Sequence, residues 1–215
     1  MNIGVLGSGI VGQTLASGFL QHGHAAMIGT REPGAPPLRK WLGVNPKGSV
    51  GTFEDAARFG ELVVLASLGR AATPVIELAG QANLAGKVLI DTTNPIADLP
   101  PVDGVLQYFT GPNESLAENI QMAAPQTRVV KAFNSVGAAR MVNPYFEQGP
   151  PTMFIAGNDS AAKSTVSALL RELGWEPFDC GGLVAARAIE PLCMLWCIPG
   201  FQHNQWTHAF KLLME

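Results

Sequence analysis

Apolar residues along the chain fall into short continuous runs, each ending in glycine or in small polar residues. Between the runs lie longer stretches with apolar positions three and four apart, the spacing of an amphipathic helix. The first run reaches the N-terminus and ends at Gly7-Ser8-Gly9-Ile10-Val11-Gly12. The spacing then predicts a helix over residues 10–21, with Leu15, Phe19 and Leu20 on its apolar side. Gly23-His24 turns the chain into a second strand over 25–28. Further on, 38–42 reads as a short helix and 50–52 as a minor strand. Thr52-Phe53-Glu54-Asp55 has the form of a capping box and opens a helix over 53–59. Residues 62–66 are continuously apolar, the mark of a parallel strand buried on both faces. A helix begins near Thr73-Pro74, and 87–91 is the next buried strand. The loop over 96–113 has the length of a lid or a binding loop. A helix over 115–122 follows, then strands at 128–132 and 152–156. Asn158-Asp159-Ser160 caps a helix running to Leu173, and 175–179 is a last strand. From Gly181 the pattern changes to two apolar helices, 183–196 and 202–214, parted by Ile198-Pro199-Gly200.

Alternation of strand and helix over most of the chain predicts an α/β fold, a Rossmann-type, doubly wound, mainly parallel sheet with a short C-terminal helical extension. In this reading residues 1–180 form the dinucleotide-binding domain, and 181–215 complete its cleft without forming an independent domain. A length of 215 residues suits one sizeable core. At 47% apolar and 14% charged, the chain is expected to self-associate, as a homodimer. A net charge of −3 gives no reason to invoke nucleic acid or an anionic membrane. Three cysteines, an odd number, fit free thiols in a reducing cytoplasm. No secretory leader precedes the first strand, and the longest apolar stretch, 189–201, is interrupted by Glu190, Pro191 and Pro199, so no membrane span is expected.

Each glycine of the first loop has a mechanical reason. Gly7 permits the tight turn out of the strand, Gly9 lets backbone approach a pyrophosphate, and Gly12 lets the helix pack closely on the strand. Free N–H groups at the helix start, around Ser8, Ile10 and Val11, then face the anion. The end of the second strand selects the dinucleotide. An NAD unit carries Asp or Glu there, whereas this chain has Thr30-Arg31, with Arg39 and Lys40 beyond. A guanidinium beside a hydroxyl suits a 2′-phosphate, so NADP(H) is the expected cofactor. Glu32 is read as turning to solvent.

Three loops fall at strand ends on the cofactor edge: Ser67-Leu68, Thr93-Asn94-Pro95 and Phe133-Asn134-Ser135. Lys131, next to Ala132, has two readings, a proton donor near the nicotinamide ribose or a partner of a carboxylate. His22 and His24 flank a turn on the far edge; a returning C-terminal helix could bring His208 over the cleft, but a surface or core role is its leading reading. Cys193 and Cys197 share a helical face, but no further ligands for a metal accompany them, so no metal is expected. The two tyrosines, Tyr108 and Tyr145, do not stand in a Tyr-x-x-x-Lys pair. Reducing a carbonyl needs a proton donor at the oxygen. A flavin-like ring delocalises the charge and asks mainly for orientation.

Gly7 to Gly12 with Gly29-Thr30-Arg31, Asp91-Thr-Thr-Asn-Pro-Ile96, Val130-Lys-Ala-Phe-Asn134 and the run from Asp179 to Leu192 together resemble the F420-dependent NADP oxidoreductases. The same motifs are similar to the oxidoreductase domain of the six-transmembrane metalloreductases. The resemblance implies that Ser8 to Val11 hold the pyrophosphate and Thr30 with Arg31 the 2′-phosphate. It implies that Ser67, Leu68, Asn94 and Ala132 line the nicotinamide half. Asn134, Ser135, Leu183 and the chain near His208 would border a pocket for an exchangeable flavin or deazaflavin. The archaeal enzymes carry histidine where Asn134 stands, and the Lys-Ala-Phe-Asn form is that of the metalloreductase domain. Asn134, Lys131 and His208 are thus the catalytic candidates. The function expected is hydride transfer between NADP(H) and a planar small-molecule acceptor. Reduction of a small imine or carbonyl metabolite, and a non-catalytic NADP(H)-sensing module, are the alternatives.

Overall fold

The computed structural model describes residues 1–215. Strand β1 (Asn2–Leu6), helix α1 (Ile10–Gln21) and strand β2 (Ala25–Gly29) open the chain in the expected order. Helix α2 (Pro36–Val44), β3 (Ser49–Gly51), α3 (Phe53–Phe59) and β4 (Leu62–Leu65) follow. The second half contains α4 (Ala72–Ala79), α5 (Gln81–Leu84), β5 (Val88–Asp91), α6 (Leu116–Ala123) and β6 (Arg128–Lys131). Strand β7 (Thr152–Gly157), α7 (Ser160–Glu172) and β8 (Glu176–Asp179) come next, and α8 (Ala186–Ile189) and α9 (Pro191–His203) end the regular structure.

The eight strands form one sheet in the order β3-β2-β1-β4-β5-β6-β7-β8. The first six are parallel; β7 runs antiparallel to β6, with Lys131 opposite Ala156, and β8 runs parallel to β7. Strand order reverses between β1 and β4, the switch point where sheets of this kind bind ligands. Alternate residues of a strand feed opposite faces. Leu62 and Val64 join α1, α2 and α7 in a core of 27 residues, whereas Val63 and Leu65 join α3 to α6 in a core of 19. Cover on both faces is why the strands read as unbroken apolar runs. Burying one such leucine stabilises the fold by about 1.5–3 kcal/mol. Both local caps form as expected. Asp55 N donates to Thr52 Oγ1 at 3.1 Å while Thr52 N donates to Asp55 Oδ2 at 2.9 Å, and Ala162 N donates to Asp159 Oδ1 at 2.7 Å.

The C-terminal segment departs from expectation in two ways. Residues 204–215 form no helix, so the expected second helix over 202–214 is absent. Asn204 ends α9 in the left-handed region at φ 52°, and Trp206 then folds back over Gly200. A Cβ on Gly200 would lie 2.3 Å from the Trp206 ring, so only glycine admits this turn. The tail continues in extended form beside the start of β7, where Thr152 N donates to Phe210 O at 2.9 Å and Leu212 N to Thr152 Oγ1 at 3.0 Å. The second departure is continuity. Glu190, Pro191 and Pro199 do not break the chain, and Leu183–His203 is a helical run of 21 residues, long and apolar enough by length and composition to cross a membrane. Proline is tolerated in the first turn of α9, and Pro199 removes only one donor near its end. In this fold the run lies against the sheet, with Leu183, Ala186, Ile189, Glu190, Cys193 and Trp196 buried.

Gly200→Ala should lift Trp206 from α9 and free the tail. The expected outcome is faster proteolytic clipping after residue 203 and a lower melting temperature, equivalent to roughly 1–3 kcal/mol of overpacking.

Candidate active site

The glycine loop divides its glycines between fold and ligand. Gly7 has φ 139°, and a Cβ on it would lie 2.2 Å from Ala66 O; one on Gly12 would lie 2.0 Å from Gly7 O. Both are required by the close packing of β1, β4 and α1. Gly9 is different, since a Cβ there meets nothing within 4 Å. It faces open space, and no side chain caps α1. The first N–H groups of this helix are therefore free for an anion, with the helix dipole behind them. Gln13 Nε2 donates to Ser8 O at 2.8 Å and fixes the loop. Ser8 Oγ lies 3.1 Å from Thr30 Oγ1, which joins the loop to the end of β2. Thr30 is buried, whereas Arg31, Arg39 and Lys40 are exposed, and Arg39 Nε donates to Gly34 O at 2.9 Å. Glu32 is exposed, as expected. A hydroxyl with cations around it and an open glycine cradle fit a phosphorylated dinucleotide.

At the other end of the edge, the loops after β4, β5 and β6 meet. A Cβ on Gly69 would lie 1.9 Å from Asn94 O, so the first two loops touch backbone to backbone. Asn94 Nδ2 donates to Asn134 O at 2.8 Å. Asn134 Nδ2 donates to Asn94 Oδ1 at 3.3 Å and to Ile189 O at 2.8 Å. Ser67, Leu68, Asn94, Pro95, Ala132 and Asn134 thus share one edge, as the sequence suggests. Phe133, between the last two, is held at φ 62°, a strained conformation for a side chain of its size. Leu183 does not join them. It is buried in the second core beside α6.

The residue that organises this end is Lys131. It is wholly buried, and its Nζ donates to Asp91 Oδ2 at 2.9 Å, to Thr93 O at 2.5 Å and to Glu190 Oε1 at 2.9 Å. An ammonium has three donors, and all three are used. Burial pulls its pKa down, but the Asp91 and Glu190 carboxylates more than reverse this and hold it above the ordinary lysine value. Of its two readings, the structural one holds: Lys131 keeps its proton and has none free for a substrate. Glu190 accepts twice more, from Leu116 N at 2.9 Å and Ala117 N at 3.0 Å. The start of α6 thereby balances the second carboxylate of a cluster with two negative charges and one positive. Asp91 Oδ1 accepts from Thr93 N and Thr93 Oγ1, at 2.9 and 2.7 Å. Sequence reasoning missed Asp91 and Glu190. The first ends an apolar strand, and the second lies in a largely apolar run where the one nearby cation, Arg187, pairs with Glu118 instead.

The other candidates are equally engaged. Tyr108 OH donates to Glu190 O at 2.8 Å, and burial, with Cys193 and Glu190 nearby, raises its pKa far above the usual phenol range. His208 lies on the extended tail, not on a helix. It stacks on Trp196 at 5.0 Å between centroids, and its Nε2–H donates to Trp196 O at 2.9 Å while Trp196 Nε1 donates to His208 O. Asn134 is 3% exposed and spends its amide N–H groups on protein carbonyl oxygens. It acts as a brace between two loops and the C-terminal segment.

Comparison with known proteins agrees with this geometry. Residues 2–95 match the family described as NADP oxidoreductase, coenzyme F420-dependent. The F420-dependent NADP reductase of Methanothermobacter marburgensis is 30% identical over 207 residues, covering 91% of this chain and 90% of that protein. Metalloreductase STEAP3 of Rattus norvegicus is 33% identical over 203 residues, but the chain spans only 38% of its length. A solved structure from Arthrobacter sp. FB24, provisionally described as an F420-dependent NADP reductase, is 35% identical, with a TM-score of 0.92 and 99% of each chain covered. The fold, the glycine cradle and these relatives define an NADP-dependent oxidoreductase. The chain belongs to the F420-dependent NADP oxidoreductase family.

Arg31→Ala should weaken NADP+ binding about 10- to 100-fold, the loss of one charge-assisted contact of about 1.5–3 kcal/mol, and leave NAD+ affinity nearly unchanged by titration calorimetry. A second outcome concerns pH. Because Lys131 has a raised folded pKa, its contribution to stability is complete below the unfolded value of about 10.4 and is lost as pH rises through the folded one. Chemical denaturation should show this alkaline loss in the natural protein, and Lys131→Met should remove it.

Proposed function

We propose that this enzyme exchanges a hydride between NADP(H) and a planar, exchangeable ring acceptor, a flavin or a deazaflavin of the F420 type. One observation carries the reading: the lysine, the tyrosine and the histidine nearest the nicotinamide end, the side chains with a proton to give, are already engaged. Lys131 has three acceptors, Tyr108 OH donates to Glu190 O, and His208 Nε2–H donates to Trp196 O. A carbonyl or imine substrate would find no poised acid here, whereas a fused ring spreads the incoming charge over its own atoms. Bound NADPH supplies the hydride from its nicotinamide. The protein's part is then to bind and orient. Ser8, Thr30 and Arg31 take the phosphates at one end, and the loops carrying Ser67, Asn94 and Asn134 set the position of the ring at the other. The segment after β8 adds a wall and not a second domain, which leaves this edge open to a flat acceptor. A homodimer in which this open edge faces solvent is part of the same proposal.

Stopped-flow measurement of NADPH oxidation at 340 nm, with FMN, FAD and F420 offered in turn, tests the reading. At least one should accelerate oxidation well above the rate without acceptor. Equality with the blank for all three would overturn the proposed reaction.

A further inference from the structure

Lys131 is joined to three separate parts of the chain through the cluster it forms: the end of β5 with the loop after it, Glu190, and the start of α6. Asp91 ends β5, Thr93 begins the loop after it, Glu190 lies between α8 and α9, and Glu190 in turn receives the first N–H groups of α6. Stability alone does not account for such an arrangement, because a buried ion cluster is on average no better than apolar side chains of the same volume. What it adds is geometry. The residue before Glu190 offers its carbonyl to Asn134, Asn134 exchanges hydrogen bonds with Asn94, and the Asn94 carbonyl rests against Gly69. Displacement of Glu190 therefore passes along hydrogen bonds to the loops after β6 and β5, and by close backbone packing of Asn94 on Gly69 to the loop after β4. None of these links reaches Ser8, Thr30 or Arg31.

We propose that Glu190 and Lys131 are positioning residues for the nicotinamide half of NADP(H), acting through Ile189 O and the Asn134–Asn94 pair, and that they have no part in holding the adenosine half. The proposal rests on the reading that the nicotinamide lies over the loops after β5 and β6. It does not depend on which acceptor follows.

Two ligands separate the two halves. NADPH engages the whole cleft, whereas adenosine 2′,5′-bisphosphate engages only the glycine loop and the Thr30–Arg31 corner. Their dissociation constants are measured by titration calorimetry for the natural protein, Glu190→Leu and Glu190→Gln. Glu190→Leu should raise the NADPH constant about tenfold or more and leave the bisphosphate within about twofold. Glu190→Gln keeps one acceptor for the Lys131 ammonium and should fall between. Asn134→Ala should mimic Glu190→Leu, and the double variant should lose no more than the larger single, since both act on one chain of contacts. Parallel weakening of both ligands would reduce the cluster to a general requirement of the fold and overturn the proposal. So would an NADPH constant within about twofold of the natural one, or additive losses in the double variant. If Glu190→Leu fails to fold, Glu190→Gln is judged by the same ratio of the two constants. No acceptor enters the experiment, so its result stands whether or not a flavin takes the hydride.

Discussion

The ammonium of Lys131 lies in the interior with acceptors from Asp91, Thr93 and Glu190 around it, and the carboxylate of Glu190 reaches on to the start of α6. A lysine buried without counter-charge loses its proton or forces the fold open, and removing one partner of such a pair typically costs about 3–5 kcal/mol. The cluster ties together the ends of two neighbouring parallel strands, a helix start across the sheet edge and the C-terminal run, which the Arg187–Glu118 ion pair also holds to α6. Tyr108 adds the long loop after β5 to the same knot through Glu190 O.

The two ends of the cleft consequently work on different physical terms. At the glycine-loop end the groups proposed to bind phosphate are free backbone N–H, the buried Thr30 hydroxyl and the exposed Arg31 guanidinium. Their contribution is electrostatic, and salt screens it. At the nicotinamide end almost everything polar is buried and already paired, so the ligand meets a surface whose shape is set beforehand. Preorganisation of that kind is what the proposed ring-to-ring hydride transfer would draw on, since orientation then contributes more than proton traffic.

What the sequence discloses depends on how far apart the interacting residues lie. The β1–α1–β2 unit, the Thr52 capping box and the Asp159 cap are local patterns, and each forms where the spacing places it. Thr30-Arg31 likewise stands directly after β2, where the sequence places it. Lys131 is the opposite case. Its two readings are equally consistent with the residues around it, and only the approach of Asp91 and Glu190, 40 and 59 positions away, decides between them. Residues 202–214 have helical spacing, but the left-handed turn at Asn204 and the packing of Trp206 on Gly200 override it. Local preference yields there to a tertiary contact. His208 lies on that tail with its ring stacked on Trp196, a packing role and not one over the cleft.

Glu190 enters the cluster from late in the chain, 74 positions after the α6 backbone that it caps at Leu116. During synthesis the strands β1 to β6 are complete long before that carboxylate has left the ribosome, and until it does the ammonium of Lys131 has only part of its counter-charge. The nascent sheet is thus left with a polar gap on its ligand-binding edge. The gap closes only when the segment after β8 docks, so the helical run Leu183–His203 acts as the latch of a fold whose frame was built earlier.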